Sequence, residues 1–516
     1  MLSEIEARKK LEAVVITNGE ITQIELIPAG IPDFGLGFAL EHLPDYCRVC
    51  VGINPEGESN ILIEVWLPIA EWNGNFLGTG NGGYAGVIDR FSLSNGLRRG
   101  YATANTDMGS APDPDELIGK PERWIDFGYR ATHLMTVIAK QIILAFYGQA
   151  PKYSYFTGGS TGGQQGLMEA QRYPEDYDGI LVTAPANNRT HLHTAFIWNW
   201  LALTQEPDAK FDEKQASAVT ELILGKHGLQ GRCIPGDKFL AQPDRVTIDT
   251  EIFKECELLN AAQIRALEKI YSGPINPVTG ERIFESVIVP GSESCPLGLA
   301  AQSDTEKFAK EFLYLFRWIF GKDYDFTKFD FNRDIDLVNE KLAPILNANS
   351  ADLRDFKNTG GKILMLHGMA DPIIPYTDSL QYYERVIDAQ NGLDRTQSFF
   401  RYFLVPGFAH VFGGPGIQDI GIGFRATPKD KEHDALTALS AWVEEGIAPD
   451  RLLPVAFKDG SMLNGFMLDE YEYERPVYAY PYMAVYESGD PNQPDNYVRD
   501  KHLVGNLPKP ARKYLV

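Results

Sequence analysis

The sequence predicts an α/β fold, a mostly parallel and doubly wound sheet interrupted by a large inserted lid domain. Three observations carry that expectation. Short apolar runs alternate with helical patterns up to about residue 187 and again from about residue 356. Between them, residues 188–355 lose the alternation and become helical in pattern and rich in aromatics. Near the end of the first stretch, an aromatic run enters Gly158-Gly159-Ser160-Thr161-Gly162 and passes into the helix-like spacing of Leu167, Met168, Ala170 and Tyr173. Strand, G-x-S-x-G, helix is the context of a nucleophile elbow, in which the turn holds a serine hydroxyl at the top of a sheet.

Each element follows in order. Short alternating segments in residues 1–60 read as strands at the sheet edge, followed by a stronger strand at Ile61–Pro68. A Gly-rich stretch, 78–86, lacks the lysine and hydroxyl residue of a phosphate loop. Behind a nucleophilic serine, such a loop serves to aim a backbone N–H at a developing oxyanion. Residues 100–107 read as the next strand, 126–147 as a long amphipathic helix, and 179–185 as the strand after the elbow. The α/β rhythm resumes with the strand at 362–366 and ends with a helix over 434–446 and a Tyr-rich tail. The predicted organisation is therefore 1–187, an inserted lid at 188–355, and 356–516.

Composition bounds the function. At 516 residues the chain is too long for one small core, and a net charge of −22 argues against nucleic acid or an anionic membrane as partner. No stretch approaches the roughly 18 apolar residues of a membrane-spanning helix. Met1 to Lys10 contains no apolar run of the kind a secretory signal has, and five irregularly spaced cysteines suggest no disulfide framework. The expectation is a cytoplasmic enzyme with a small-molecule partner. Cys47-Arg48-Val49-Cys50 is a lone C-x-x-C without a second ligand pair.

A serine nucleophile needs a base, and the base needs a carboxylate to hold its tautomer. In an α/β-hydrolase fold these follow in the order Ser, Asp or Glu, His, each on a loop after a strand. Asp371 follows the strand at 362–366, and His410 follows the apolar run at 399–406. His433 lies in a charged run, and His367 precedes Asp371 on its own loop and reads as a structural hydrogen-bonder. The predicted triad is Ser160, Asp371 and His410. Thr161 and either Gly82 or Gly83 are the expected oxyanion donors. No metal or organic cofactor is required. Among the lid aromatics, Phe196, Trp198, Trp200, Tyr314, Phe316 and Trp318 are candidates for substrate contact, with lid core as the plainer alternative.

At these residues the sequence resembles the tannase/feruloyl esterase family. The likeness runs through Leu43-Pro44-Asp45-Tyr46-Cys47-Arg48-Val49, Trp66-Leu67-Pro68, Trp72-Asn73-Gly74 and Gly80-Asn81-Gly82-Gly83. It continues through the elbow with Ala170-Gln171-Arg172, His367-Gly368-Met369-Ala370-Asp371-Pro372, and Pro406-Gly407-Phe408-Ala409-His410. The resemblance implies an α/β-hydrolase domain with a large lid and ester substrates carrying aromatic acids. It also implies a disulfide between the residues flanking nucleophile and histidine, but Gly159 and Val411 stand there. A calcium-binding lid loop, common in the family, is doubtful here: residues 227–233 are poor in hard oxygen ligands, although Asp237, Asp244 and Asp249 lie nearby. The arginine usual after the elbow is Gln164. The functional expectation is a serine carboxylic-ester hydrolase for a small aromatic or polyketide-like ester or lactone. Acyl transfer or ring closure by the same triad is the alternative.

Overall fold

The computed structural model describes residues 3–32, 42–234, 236–421, 423–501 and 509–515. Nine strands share one sheet: β1 Gly19–Ile27, β2 Tyr46–Ile53, β3 Ile61–Pro68, β4 Phe76–Thr79, β5 Ala102–Thr106, β6 Ser154–Gly159, β7 Gly179–Thr183, β8 Lys362–Gly368 and β9 Phe400–Val405. Their order is β1-β2-β3-β5-β4-β6-β7-β8-β9. β1, β2 and β3 pair antiparallel at one edge, β3 pairs antiparallel with β5, and β4 runs parallel to both β5 and β6. Strands buried on both faces explain why β5 and β7 are buried at every position instead of alternating.

The chain forms two compact units, Met1–Val182 with Asp352–Ile363, and Thr183–Ala351 with Leu364–Val516. The insertion expected at 188–355 falls almost wholly in the second unit's first segment.

In the first unit, the helix Ala131–Tyr147 buries Met135, Ile138, Ala139, Ile142, Ile143 and Phe146, a helical stripe. It ends at Gly148 in the left-handed conformation. The sequence pattern suggested one helix from residue 126, but Asp126–Arg130 forms a wider π-turn first. That turn leaves the Gly128 carbonyl to accept a hydrogen bond from the Gln164 side chain at 3.0 Å. The Trp66 ring lies tilted against that of Tyr46, 4.7 Å between centroids, and joins Leu93 and Leu97 in a satellite core.

In the second unit, the helix Arg189–Thr204 is buried on nearly every side, with Ala261–Ser272, Thr305–Phe312 and Arg333–Leu346 as neighbours. β9 leads into the loop carrying His410, and Ala435–Glu445 is the late helix expected from the sequence. No helix among the described residues is long and apolar enough to cross a membrane.

Candidate active site

Ser160 stands between β6 and the helix Thr161–Arg172 with φ 59° and ψ −118°. A positive φ costs a non-glycine residue energy and persists only where the surroundings enforce it. Here the enforcement is close backbone packing. A Cβ on Gly158 would lie 2.6 Å from the Gly162 carbonyl group, and one on Gly80 would lie 2.5 Å from the Gly162 Cα. Only glycines let the loop after β4 and the elbow helix approach this closely. Hydrogen bonds then lock them: Gly162 N–H donates to the Asn81 carbonyl at 2.7 Å, and Asn81 N–H to Gln165 Oε1 at 2.9 Å. Thr161 Oγ1 donates to the Gly83 carbonyl at 2.5 Å.

This arrangement brings the three expected oxyanion donors into one neighbourhood. Thr161 is the first residue of the elbow helix, at the end where backbone N–H groups face outward along the axis. Gly82 and Gly83 are exposed, and a Cβ on either would meet nothing within 4 Å.

In the second unit, Asp371 and His410 are brought together. His410 Nδ1 lies 2.7 Å from Asp371 Oδ2. The Asp371 side chain is fully buried and that of His410 is 14 % exposed. Asp371 Oδ1 accepts the backbone N–H groups of Ile373 at 2.9 Å and Ile374 at 3.0 Å. The two loops are themselves tied, because Met369 N–H donates to the Val405 carbonyl and Ala370 N–H to the Phe408 carbonyl. Burial alone would push the Asp371 carboxyl upward. The His410 charge, together with hydrogen bonds from His367 and His410, outweighs burial and holds it well below the usual carboxylate range. An ionised Asp371 on Nδ1 leaves Nε2 of His410 as the nitrogen able to take a proton.

His367 has the structural role expected. Its Nε2 donates to the Ile374 carbonyl at 2.9 Å and stands 3.4 Å from Asp371 Oδ2, while Nδ1 accepts from Ser379 Oγ at 2.8 Å. His433 has both ring nitrogens occupied, by Asp430 on one side and Glu474 on the other.

The candidate lid aromatics pack mainly against other aromatic rings of the lid. Phe196, Tyr314, Phe316 and Trp318 are buried. Phe196 meets the rings of Phe308 and Phe312 edge-on, Phe316 meets Phe329, and Tyr314 meets Trp318. Trp198 and Trp200 are half-buried, and their indole N–H groups donate to the carbonyls of Lys269 and Thr305. Such satisfied, interlocked rings are the packing of a lid core.

The three aspartates considered for calcium are engaged elsewhere. Asp237 holds Arg475 through both carboxylate oxygens, Asp244 accepts from Tyr376 Oη, and Asp249 caps a short 3-10 turn. Among the described residues, metal-ligand types converge at His133, Glu169 and Asp176. His133 Nδ1 is already 2.6 Å from Asp176, its ring stacks on Tyr173 at 3.8 Å, and burial beside Asp176 pushes the Glu169 carboxyl well up.

Sequence reasoning missed one neighbour of the Asp371–His410 pair. Cys295, distant in sequence, packs against Ala370 and Ala409, the residues just before each. Nothing in a lone cysteine of the lid signals that placement.

The profile of the family described as "Tannase and feruloyl esterase" matches residues 47–499. An uncharacterised esterase of Xanthomonas campestris pv. campestris is 33% identical over 514 residues, covering 92% of this chain and 88% of its own. A probable feruloyl esterase B-2 of Aspergillus fumigatus is 30% identical over 505 residues, covering 94% and 92%. The crystal structure of feruloyl esterase B from Aspergillus oryzae superposes with a TM-score of 0.84 at 27% identity, covering 96% of this chain and 100% of that one. An α/β-hydrolase fold with a strained serine elbow and a buried Asp–His pair, matched over almost its whole length, makes this chain a serine ester hydrolase that belongs to the tannase and feruloyl esterase family.

Proposed function

We propose that the chain hydrolyses a small aromatic carboxylic ester through an acyl-enzyme on Ser160. His410 Nε2 takes the Ser160 proton as Oγ attacks the ester carbonyl carbon, and the carbonyl oxygen becomes an oxyanion. Backbone N–H groups of Thr161 and of Gly82 or Gly83 receive that oxyanion. The C–O bond to the alcohol breaks as His410 returns the proton to the leaving oxygen. Water, deprotonated by His410, then releases the acid and restores Ser160. Asp371 orients His410 and stabilises its imidazolium without taking the proton.

The observation that carries the reading is the 2.7 Å His410–Asp371 bond, formed on successive strand-end loops downstream of a strained serine. Relatives named feruloyl esterases support an aromatic acyl group. Mass mapping after a fluorophosphonate probe should find the label on Ser160. Ser160→Ala and His410→Ala should each lower kcat by roughly 10³-fold or more with the fold intact. A folded Ser160→Ala protein with near-native turnover would overturn the assignment.

A further inference from the structure

A cavity of about 410 Å³ lies in the second unit, between residues 229–234 and 239–241, the base of the His410 loop and the C-terminal hairpin of Tyr482–Tyr486 and Tyr497–Lys501. None of Ser160, Asp371 and His410 lines it. Its walls include Leu229, Phe239, Val485, Tyr486 and Tyr497, so it is apolar and ringed by aromatics. Among the described residues, two guanidinium groups, Arg232 and Arg475, enter this lining and no carboxylate does.

Those two cations are incompletely used. Arg475 is 9 % exposed, and Asp237 occupies its terminal nitrogens at 2.7 and 2.8 Å. Its guanidinium sits over the rings of Tyr473 and Phe239 at 5.0 and 5.6 Å, yet its Nε has no hydrogen-bond partner among the described residues. Arg232 stands 3.7 Å from Asp500, beyond hydrogen-bond length, and its buried Nη1 likewise has no partner among the described residues. A buried donor without an acceptor is unfavourable, so such groups call for an occupant. Aromatic walls favour a flat apolar body, and guanidinium groups favour a planar carboxylate. A cavity of this volume accommodates a single-ring ligand.

We propose that this cavity is a second binding site, for a small aromatic carboxylate such as a hydroxycinnamate. Arg232 lies in the 227–233 segment, which thus supplies a cation where a metal site would supply carboxylates. Phe239, one wall of the cavity, is wedged against Gly407 and Gly416, where a Cβ would lie 2.8 and 2.5 Å from its ring. These glycines close the base of the His410 loop through the Gly416 N–H to Gly407 carbonyl bond at 3.0 Å. A ligand in the cavity therefore presses on the wall that supports that loop.

Isothermal titration with 4-hydroxycinnamate, and separately with its neutral alcohol, tests the site in the wild type, Arg232→Ala and Ala484→Trp, with thermal unfolding of each checked. Ala484 lines the cavity, so a tryptophan there fills it. The acid should bind the wild type, about tenfold more weakly to Arg232→Ala, and not to Ala484→Trp; the alcohol should bind at least about tenfold more weakly than the acid. No binding to the wild type, equal binding of acid and alcohol, or unchanged affinity in a folded Ala484→Trp variant would overturn the proposal. Since neither Ser160 nor His410 contributes to the cavity, such a failure leaves the esterase reading untouched.

Discussion

Phe412 donates its backbone N–H to the carbonyl of His410 at 2.7 Å, closing a three-residue turn around Val411 at φ 63°. This is the rare, positive-φ form of γ-turn, and a β-branched residue is among the least suited to it. Strain of this kind costs of order 1–3 kcal/mol and concentrates at functional sites. Ser160 carries the same sign of strain at φ 59°, so the proposed nucleophile and the residue after the proposed base are both held in costly backbone conformations.

The first prediction follows from that turn. Val411→Gly should stabilise the protein by about 1 kcal/mol, the released strain exceeding the ~0.5–1 kcal/mol entropic penalty of a new glycine. It should also lower kcat by about two- to tenfold, since the turn orients the His410 ring. Urea unfolding alongside steady-state kinetics checks both; a clear loss of stability would mean that Val411 packing outweighs turn strain.

The second prediction concerns the Asp371 carboxyl, which is held below its ordinary range. A depressed carboxyl contributes stability that is fully present above its unfolded value, ~3.9, and is lost as pH falls through the folded value. Wild type should therefore exceed Asp371→Asn in unfolding free energy by a constant margin from pH 7 to pH 5. Below about pH 4 that margin should shrink by roughly 1.4 kcal/mol per pH unit. A margin that instead widened with acid would contradict an ionised, histidine-paired Asp371.

The third prediction concerns the approach of Gly80 to the elbow. A Cβ there meets backbone, the Gly162 Cα at 2.5 Å, and cannot be relieved by moving a side chain. Gly80→Ala should cost about 2 kcal/mol or more and reduce kcat by roughly tenfold or more, because it separates Gly82 and Gly83 from Thr161. Unaltered kcat in a stable Gly80→Ala protein would remove this loop from the catalytic machinery.

What the sequence made legible was whatever repeats locally. Period-two and buried apolar runs marked β3, β6, β7, β8 and β9, and G-x-S-x-G between strand and helix marked the strained Ser160. β4 was not marked, because the four residues of Phe76–Thr79 are too few for any period. The π-turn at Asp126–Arg130 shares the apolar spacing of the helix it precedes, so periodicity could not separate them. Placement across long separations was silent as well. Arg475 reaches Asp237 across 238 positions, and Cys295 reaches Ala370 and Ala409, with no local signal at either end. Val411 illustrates the reverse problem: a left-handed residue is expected to be glycine or asparagine, and valine gives no hint of it.

The last prediction is that activity does not depend on any disulfide. All five cysteines are free thiols: Cys47 and Cys295 are buried, whereas Cys50, Cys233 and Cys256 are partly exposed. Cys47 and Cys50 are three apart on β2, so alternation sends them to opposite faces of the sheet, which prevents redox pairing. Cys295 is the thiol beside the Asp371–His410 loops, where burial, with Glu293 and Asp371 nearby, pushes it up to about 12. At pH 8 only about one in 10⁴ of such a group is thiolate, and the thiolate is the form that reacts. Cys47, pushed up to about 12 by burial, is equally inert. Excess dithiothreitol should therefore leave kcat unchanged, and a chromogenic disulfide reagent should consume Cys256 long before Cys295. Cys295→Ala, by contrast, removes a packed sulfur from against Ala370 and Ala409 and should cost about 1 kcal/mol with a several-fold fall in kcat. Loss of activity on reduction, with recovery on reoxidation, would show that a bridge between two of these thiols supports the site, and that the turn and loop hydrogen bonds around His410 are insufficient to hold it.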